Sequence, residues 1–172
     1  MSNVLRDKVV LIGMPGCGKT TIGILLAEKL NYDFYDMDIY IEEKNNKSIK
    51  DIFSNGEENF RKLETEACKD LSYKNKAIIS SGGGVVKKKE NIDILNKDSI
   101  IVFIDRPVEK ILEDVDIESR PLLKDGKDKL YTLYNERYEL YKQSADIIVD
   151  NSGDITEVID NIIIYLRNKI KE

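Results

Sequence analysis

An octapeptide of the form G-x-x-x-x-G-K-[ST], Gly13-Met14-Pro15-Gly16-Cys17-Gly18-Lys19-Thr20, constrains this chain more than any other feature. A β-branched run, Lys8-Val9-Val10-Leu11-Ile12, precedes it, and apolar residues at helical spacing, Ile22, Leu25, Leu26 and Leu30, follow it. That context is a strand, a glycine-rich turn and a helix, the setting in which such a loop cradles phosphates. Glycines let the backbone turn its N–H groups inward around phosphate oxygens, and the helix N-terminus adds positive potential. Lys19 is then placed to bridge β and γ phosphates, and the Thr20 hydroxyl to ligate magnesium. Gly16, Cys17, Gly18, Lys19, Thr20 and Thr21 are the candidate nucleotide-binding residues, and they imply ATP as co-substrate with Mg2+.

Further apolar runs, Asp33-Phe34-Tyr35-Asp36, Ala77-Ile78-Ile79-Ser80, Ser99 to Ile104 and Asp146 to Val149, read as buried strands. Helical spacing separates them, as at Tyr131, Tyr134, Tyr138 and Tyr141. Alternation of this kind makes a parallel sheet covered by helices. The expected fold is α/β: a three-layer α/β/α arrangement with a five-stranded parallel sheet of the P-loop NTPase type. Asp154 is placed to cap a last helix whose apolar side is Ile155, Val158, Ile159, Ile162, Ile163 and Leu166. With 172 residues and no Pro-rich or Ser-rich linker, a single domain over 1–172 is expected. The stretch 113–129 is crowded with charge and poor in large apolar groups, which marks it as a mobile lid.

Composition removes several function classes. A content of 41% hydrophobic and 34% charged residues is that of a globular chain, and a net charge of -5 suits no phosphate-rich nucleic-acid partner. No stretch approaches the roughly 20 apolar residues of a membrane span, and the N-terminal residues lack the apolar core of a signal peptide. No membrane or nucleic-acid partner is therefore expected, and the cytoplasm is the expected location. Histidine is absent, which excludes Ser-His and Cys-His catalysis and leaves carboxylates, lysine, arginine and backbone amides for any chemistry. Cys17 and Cys68 are too few for a disulfide framework and read as reduced thiols.

Other constellations follow the octapeptide in order. Asp36-Met37-Asp38 ends the second strand, where alternation would place both carboxylates on one side, facing the crevice at the strand's carboxyl end. The block Ser48 to Glu64 reads as a short helix, a Gly56-Glu57 turn and a helix carrying Phe60-Arg61-x-x-Glu64. Ser80-Ser81-Gly82-Gly83-Gly84 ends the third strand, and three consecutive glycines allow a bare backbone to approach a ligand closely. Ser119-Arg120-Pro121-Leu122-Leu123 lies in the expected lid, and Asn135-Glu136-Arg137-Tyr138 on the helix after it.

From Val9 to about Ile163 this order of motifs resembles the shikimate kinases, which phosphorylate the 3-hydroxyl of shikimate on the route to chorismate. The resemblance implies a nucleoside monophosphate kinase-like fold and an ATP-dependent kinase acting on an alcohol group, its substrates shikimate and ATP. It implies that Asp38 binds ring hydroxyls and activates the nucleophile, with Asp36 near magnesium through water. Arg61 and Arg137 correspond to carboxylate-binding arginines, and the guanidinium's parallel N–H donors match a carboxylate. Gly82, Gly83 and Gly84 line the substrate site, with Gly83 contacting shikimate. Arg120 corresponds to the lid arginine that stabilises the transferred phosphoryl group, so Lys19, Asp38 and Arg120 form the implied catalytic set. The region 36–64 is the implied substrate-binding region, and a monomer is expected. This chain departs from the family where adenine is held: Glu113 replaces a stacking arginine, and Asp150-Asn151-Ser152-Gly153-Asp154 lacks the usual proline. A kinase for another small hydroxy acid such as gluconate, or a nucleotide-binding module without catalysis, would share the fold and the loop. Neither gives a reason for both Arg61 and Arg137 to converge on the glycine triplet.

Overall fold

Strands form where the β-branched runs lie: β1 (Lys8–Ile12), β2 (Asp33–Asp36), β3 (Ala77–Ser80), β4 (Ser99–Asp105) and β5 (Ile147–Asp150). The computed structural model describes residues 4–114 and 123–172. All five strands pair in parallel, in the order β2-β3-β1-β4-β5. β1 and β3 are buried at every position and β4 at all but its last. Because successive side chains point to opposite faces, such strands require helices on both sides of the sheet, and this is the expected α/β/α layering. In register, Leu11 and Asp36 both lie beside Ser80. The loops leaving β1, β2 and β3 therefore emerge together at one edge, where ligands bind in open parallel sheets.

Local sequence sets each helix that frames this edge. α1 (Lys19–Leu30) buries Ile22, Gly23, Leu26 and Ala27, whereas Leu25 is 36% exposed, less buried than its spacing predicts. Gly23 takes the inward place because a Cβ there would lie 2.5 Å from the Phe34 ring. After β2 come α2 (Met37–Asn45), α3 (Ile49–Ser54) and α4 (Glu57–Ser72). Ser48 caps α3 by accepting from the Asp51 N–H at 3.1 Å. Gly56, at φ 102°, turns the chain into α4, and Phe53 stacks on Phe60 across that turn with centroids 4.5 Å apart. The turn and the stacked rings fix the direction in which α4 presents Arg61.

α5 (Lys89–Leu95), α6 (Val108–Asp114), α7 (Leu123–Ser144) and α8 (Ile155–Leu166) complete the chain. Asp154 caps α8 as expected, accepting from Thr156 N–H at 2.7 Å, and Val158, Ile159, Ile162 and Leu166 are buried. Of the lid expected over 113–129, residues 115–122 lie outside the described residues. Glu113 and Asp114 end α6, and residues from Leu123 onward belong to α7. Arg120 lies outside the described residues. Among those described, no helix is long and apolar enough to cross a membrane.

Candidate active site

The glycine-rich loop joins β1 to α1 with Lys19 curled back over it. The Lys19 Nζ donates to the carbonyls of Gly13 at 2.9 Å and Met14 at 2.8 Å. Gly18, at φ 102°, has no room for a Cβ, which would meet the Asn151 amide nitrogen at 2.8 Å. That amide donates to the Cys17 carbonyl at 2.8 Å, and the Arg106 guanidinium donates to the Asn151 carbonyl at 2.6 Å. Asn151, just after β5, thus braces the loop and is itself held by Arg106, just after β4, a role that nothing in their sequence context signals. The Cys17 side chain faces the hydrophobic core, so its membership of the nucleotide-binding set rests on its main chain alone. Both cysteines are free and buried, and burial pushes the Cys68 thiol up.

Asp36 and Asp38 come together by a route other than the one expected. Asp36 ends β2 but is the N-cap of α2, its Oδ1 accepting from the Ile39 N–H at 3.1 Å. Asp38 lies in the first turn of that helix, so a helix start, and not strand alternation, places the two carboxylates side by side. The other oxygen of Asp36 accepts from the Thr20 hydroxyl at 3.1 Å. A hydroxyl and a carboxylate this close form an all-oxygen donor pair, which fits a hard cation such as magnesium. Asp38 is partly desolvated, and burial, followed by the neighbouring Asp36 charge, raises its pKa above the ordinary aspartate value. Lys19 and Arg61 pull in the opposite direction.

On α4 the Arg61 guanidinium donates from Nη1 to Glu64 at 2.9 Å and from Nη2 and Nε to Glu57 at 3.2 and 3.3 Å. Three of its five N–H groups are engaged in this way, and the other two have no partner among the described residues. Glu64 is 1% exposed, and its Oε2 has no hydrogen-bond partner among the described residues. Burial raises its pKa despite the adjacent Arg61.

Close approach accounts for each glycine of the triplet, and none of the three has a positive φ. A Cβ on Gly82 would meet Asp38 Oδ1 at 3.1 Å, one on Gly83 would meet Pro15 Cδ at 2.7 Å, and one on Gly84 would meet Arg61 Nη1 at 2.4 Å. The Gly83 carbonyl also accepts from the buried Tyr141 hydroxyl at 2.5 Å. Burial pushes Tyr141 up to about 12, opposed by the nearby Arg137.

Two cavities meet at this triplet. The first, of about 410 Å³, is lined by Arg61, Lys87, Lys129 and Arg137. Asp38, Glu57, Glu64 and Glu136 face the same space, so its described lining residues include as many carboxyl groups as cations. The second, of about 530 Å³, is lined by Gly16, Gly18, Lys19, Thr20, Thr21 and Asp36. Pro15, Asp38, Gly82 and Gly83 border both and form the wall between them. Of the expected residues, all but Cys17, which is buried, and Arg120, which is not described, line one or other of these two adjoining spaces. Lys87 also lines the site and Tyr141 supports its Gly83 wall, and neither was expected to do so. Glu57 and Pro15 line it from within the expected region 36–64 and the octapeptide, without having been singled out. Glu113, at the departed adenine position, is exposed and paired with Lys110 at 3.5 Å.

Known proteins resemble this chain in sequence and fold. A family model described as shikimate kinase matches residues 15–167. A shikimate kinase of Clostridium beijerinckii is 56% identical over 158 residues, spanning 92% of this chain and 94% of the relative. The structure of a shikimate kinase from Acinetobacter baumannii in complex with shikimate superposes with a TM-score of 0.86 at 33% identity, covering 98% of this chain and 97% of that one. That of the Aquifex aeolicus shikimate kinase gives 0.79 at 38% identity, covering 93% and 96%. A gluconokinase from Sinorhizobium meliloti shares only the fold, with a TM-score of 0.55 at 12% identity. By the family model and by these relatives, the chain belongs to the shikimate kinase family.

Proposed function

We propose that this protein transfers the γ-phosphoryl group of ATP to the 3-hydroxyl of shikimate, giving 3-phosphoshikimate and ADP. The observation that carries this reading is the shared wall, where Asp38 stands between a phosphate-binding loop and a cavity holding two guanidinium groups. Shikimate is a ring bearing one carboxylate and several hydroxyls. Its carboxylate pairs with Arg61 and Arg137, which turns the hydroxyl edge of the ring toward Asp38 and the loop. Asp38 accepts the proton of the 3-hydroxyl as that oxygen attacks the γ phosphorus, and ADP departs in line. Lys19 exchanges its two carbonyl contacts for phosphate oxygens, and Arg120 adds charge to the transferred group. Thr20, with Asp36 through water, would hold magnesium, which when bound neutralises charge on the β and γ oxygens. Most of the acceleration then comes from positioning and fixed charge, since no covalent intermediate is needed.

Coupled ADP release across shikimate, quinate, gluconate and nucleoside monophosphates tests the reading. Release with shikimate well above the others is expected, and preference for gluconate or a nucleotide would overturn it. The glycine triplet provides a second test. Gly84→Ala puts a methyl where the Arg61 guanidinium lies, and the arginine must move because its Nη1, Nη2 and Cζ are the atoms nearest that methyl, at 2.4 to 2.7 Å. Shikimate affinity measured by calorimetry is expected to fall by about tenfold or more, as a charge-assisted bond is lost, with ATP affinity retained.

A further inference from the structure

We infer that Lys87 is a positioning residue for the acidic substrate: by sharing the Glu57 carboxylate with Arg61 it weakens that carboxylate's competition with the substrate's own carboxylate for the guanidinium. The inference rests on the function proposed above and names a residue to which the family motifs give no role. Lys87 belongs to the run Lys87-Lys88-Lys89, which reads in sequence as an unremarkable basic patch. The fold separates its members. A 3-10 turn over Val85–Lys87 follows the glycine triplet directly, with the Lys87 N–H donating to the Gly84 carbonyl at 3.1 Å. Lys87 thereby joins the cavity lining, whereas Lys89 pairs with Asp93 on α5 at 2.9 Å.

Glu57 is a shared acceptor. One oxygen, Oε1, receives Lys87 Nζ at 2.7 Å and the Arg61 Nη2 at 3.2 Å, so the lysine is the closer partner. The Lys87 side chain is 42% exposed and that of Arg61 11%, which places the lysine pair at the cavity rim. An exposed pair of this sort contributes little to folding. Its effect falls on the charge inside the cavity, where Lys87 is one of the four cations among the described lining residues. Without Lys87, Glu57 keeps only Arg61 as a cationic partner among the described residues, and the cavity lining loses one positive charge. Both changes oppose a second carboxylate at Arg61, one by competition and the other by lost attraction.

Calorimetric titration of shikimate, at low ionic strength, into the wild type and the variants Lys87→Met, Glu57→Gln and Lys87→Met with Glu57→Gln tests this. Lys87→Met is expected to weaken shikimate about threefold to tenfold, and removing the Glu57 charge in the same chain is expected to restore affinity to within about twofold of Glu57→Gln alone. Lys87→Arg should hold the wild-type value, since it keeps the charge. ATP affinity, measured in parallel, should be the same in all. An unaltered Kd in Lys87→Met, or a double variant as weak as Lys87→Met, would overturn the inference, the second result meaning that Lys87 does not act through Glu57. A wild-type protein that fails to bind shikimate would overturn the proposed function instead.

Discussion

Asp38→Asn is expected to yield a folded protein that still binds shikimate but turns over about a hundred- to ten-thousandfold more slowly, the range for loss of a positioned general base. The amide keeps the shape of the carboxylate and can still contact ring hydroxyls, but it cannot take the proton of the attacking hydroxyl. It also leaves the Asp36 cap on α2 untouched, so the helix start should survive. Burial and the Asp36 charge raise the pKa of Asp38, which brings its protonation nearer to working pH than that of an exposed aspartate. A base is active when deprotonated, so turnover of the wild type should fall as pH drops through that raised value, and the variant should lose this acidic limb. Stopped-time ADP release at saturating substrates across pH, with a shikimate titration as the binding control, checks both parts. Wild-type turnover in the variant would leave Asp38 a binding role only.

Arg61→Ala is expected to weaken shikimate by roughly 1.5 to 3 kcal/mol, or about tenfold to a hundredfold, while ATP affinity holds. The guanidinium has a second function that the same variant exposes. It is the cation hydrogen-bonded to Glu64, a carboxylate 1% exposed. Burial raises the Glu64 pKa in the folded state, so folding favours the protonated acid. Stability from this group is therefore present below the unfolded carboxylate pKa and is lost as pH rises through the folded value. Arg61 limits that loss by attracting the charged form. Its removal should extend the loss to higher pH, so the Tm gap between Arg61→Ala and wild type should be wider at neutral pH than near pH 4 to 5, roughly the unfolded carboxylate range. A pH-independent gap would mean that Glu64 finds another partner.

Much of the fold could be read directly from the chain. The apolar runs and their alternation with helical spacing led to a parallel sheet, because buried parallel strands show continuous hydrophobicity. The glycine triplet and the Asp36-Met37-Asp38 pair were also legible as site features, although for reasons the structure revises. Strand periodicity cannot show that Asp36 stops the strand by capping a helix, since an N-cap aspartate also adopts an extended backbone. Likewise, a glycine required by a neighbour's bulk looks the same in sequence as one required by a positive φ. The contacts least visible beforehand join distant segments: Lys87 to Glu57, Asn151 to Cys17 and Tyr141 to Gly83. Tyr141 fits a helical apolar stripe, and as a fully buried side chain it is core, yet its hydroxyl reaches the site wall. Periodicity reports which face a residue occupies, not what its polar end touches.

The wall built from Pro15, Asp38, Gly82 and Gly83 has a thermodynamic consequence. Each of its members touches both cavities, so any shift that one occupant imposes on the wall is felt by the other. Binding is then a linked equilibrium, in which nucleotide alters shikimate affinity by some factor and shikimate must alter nucleotide affinity by the same factor. The glycines give this linkage a mechanical basis. With the Cβ position of Gly83 already filled by Pro15 and its carbonyl held by Tyr141, the wall has little slack, and a displacement on the phosphate side is carried across it, not absorbed within it.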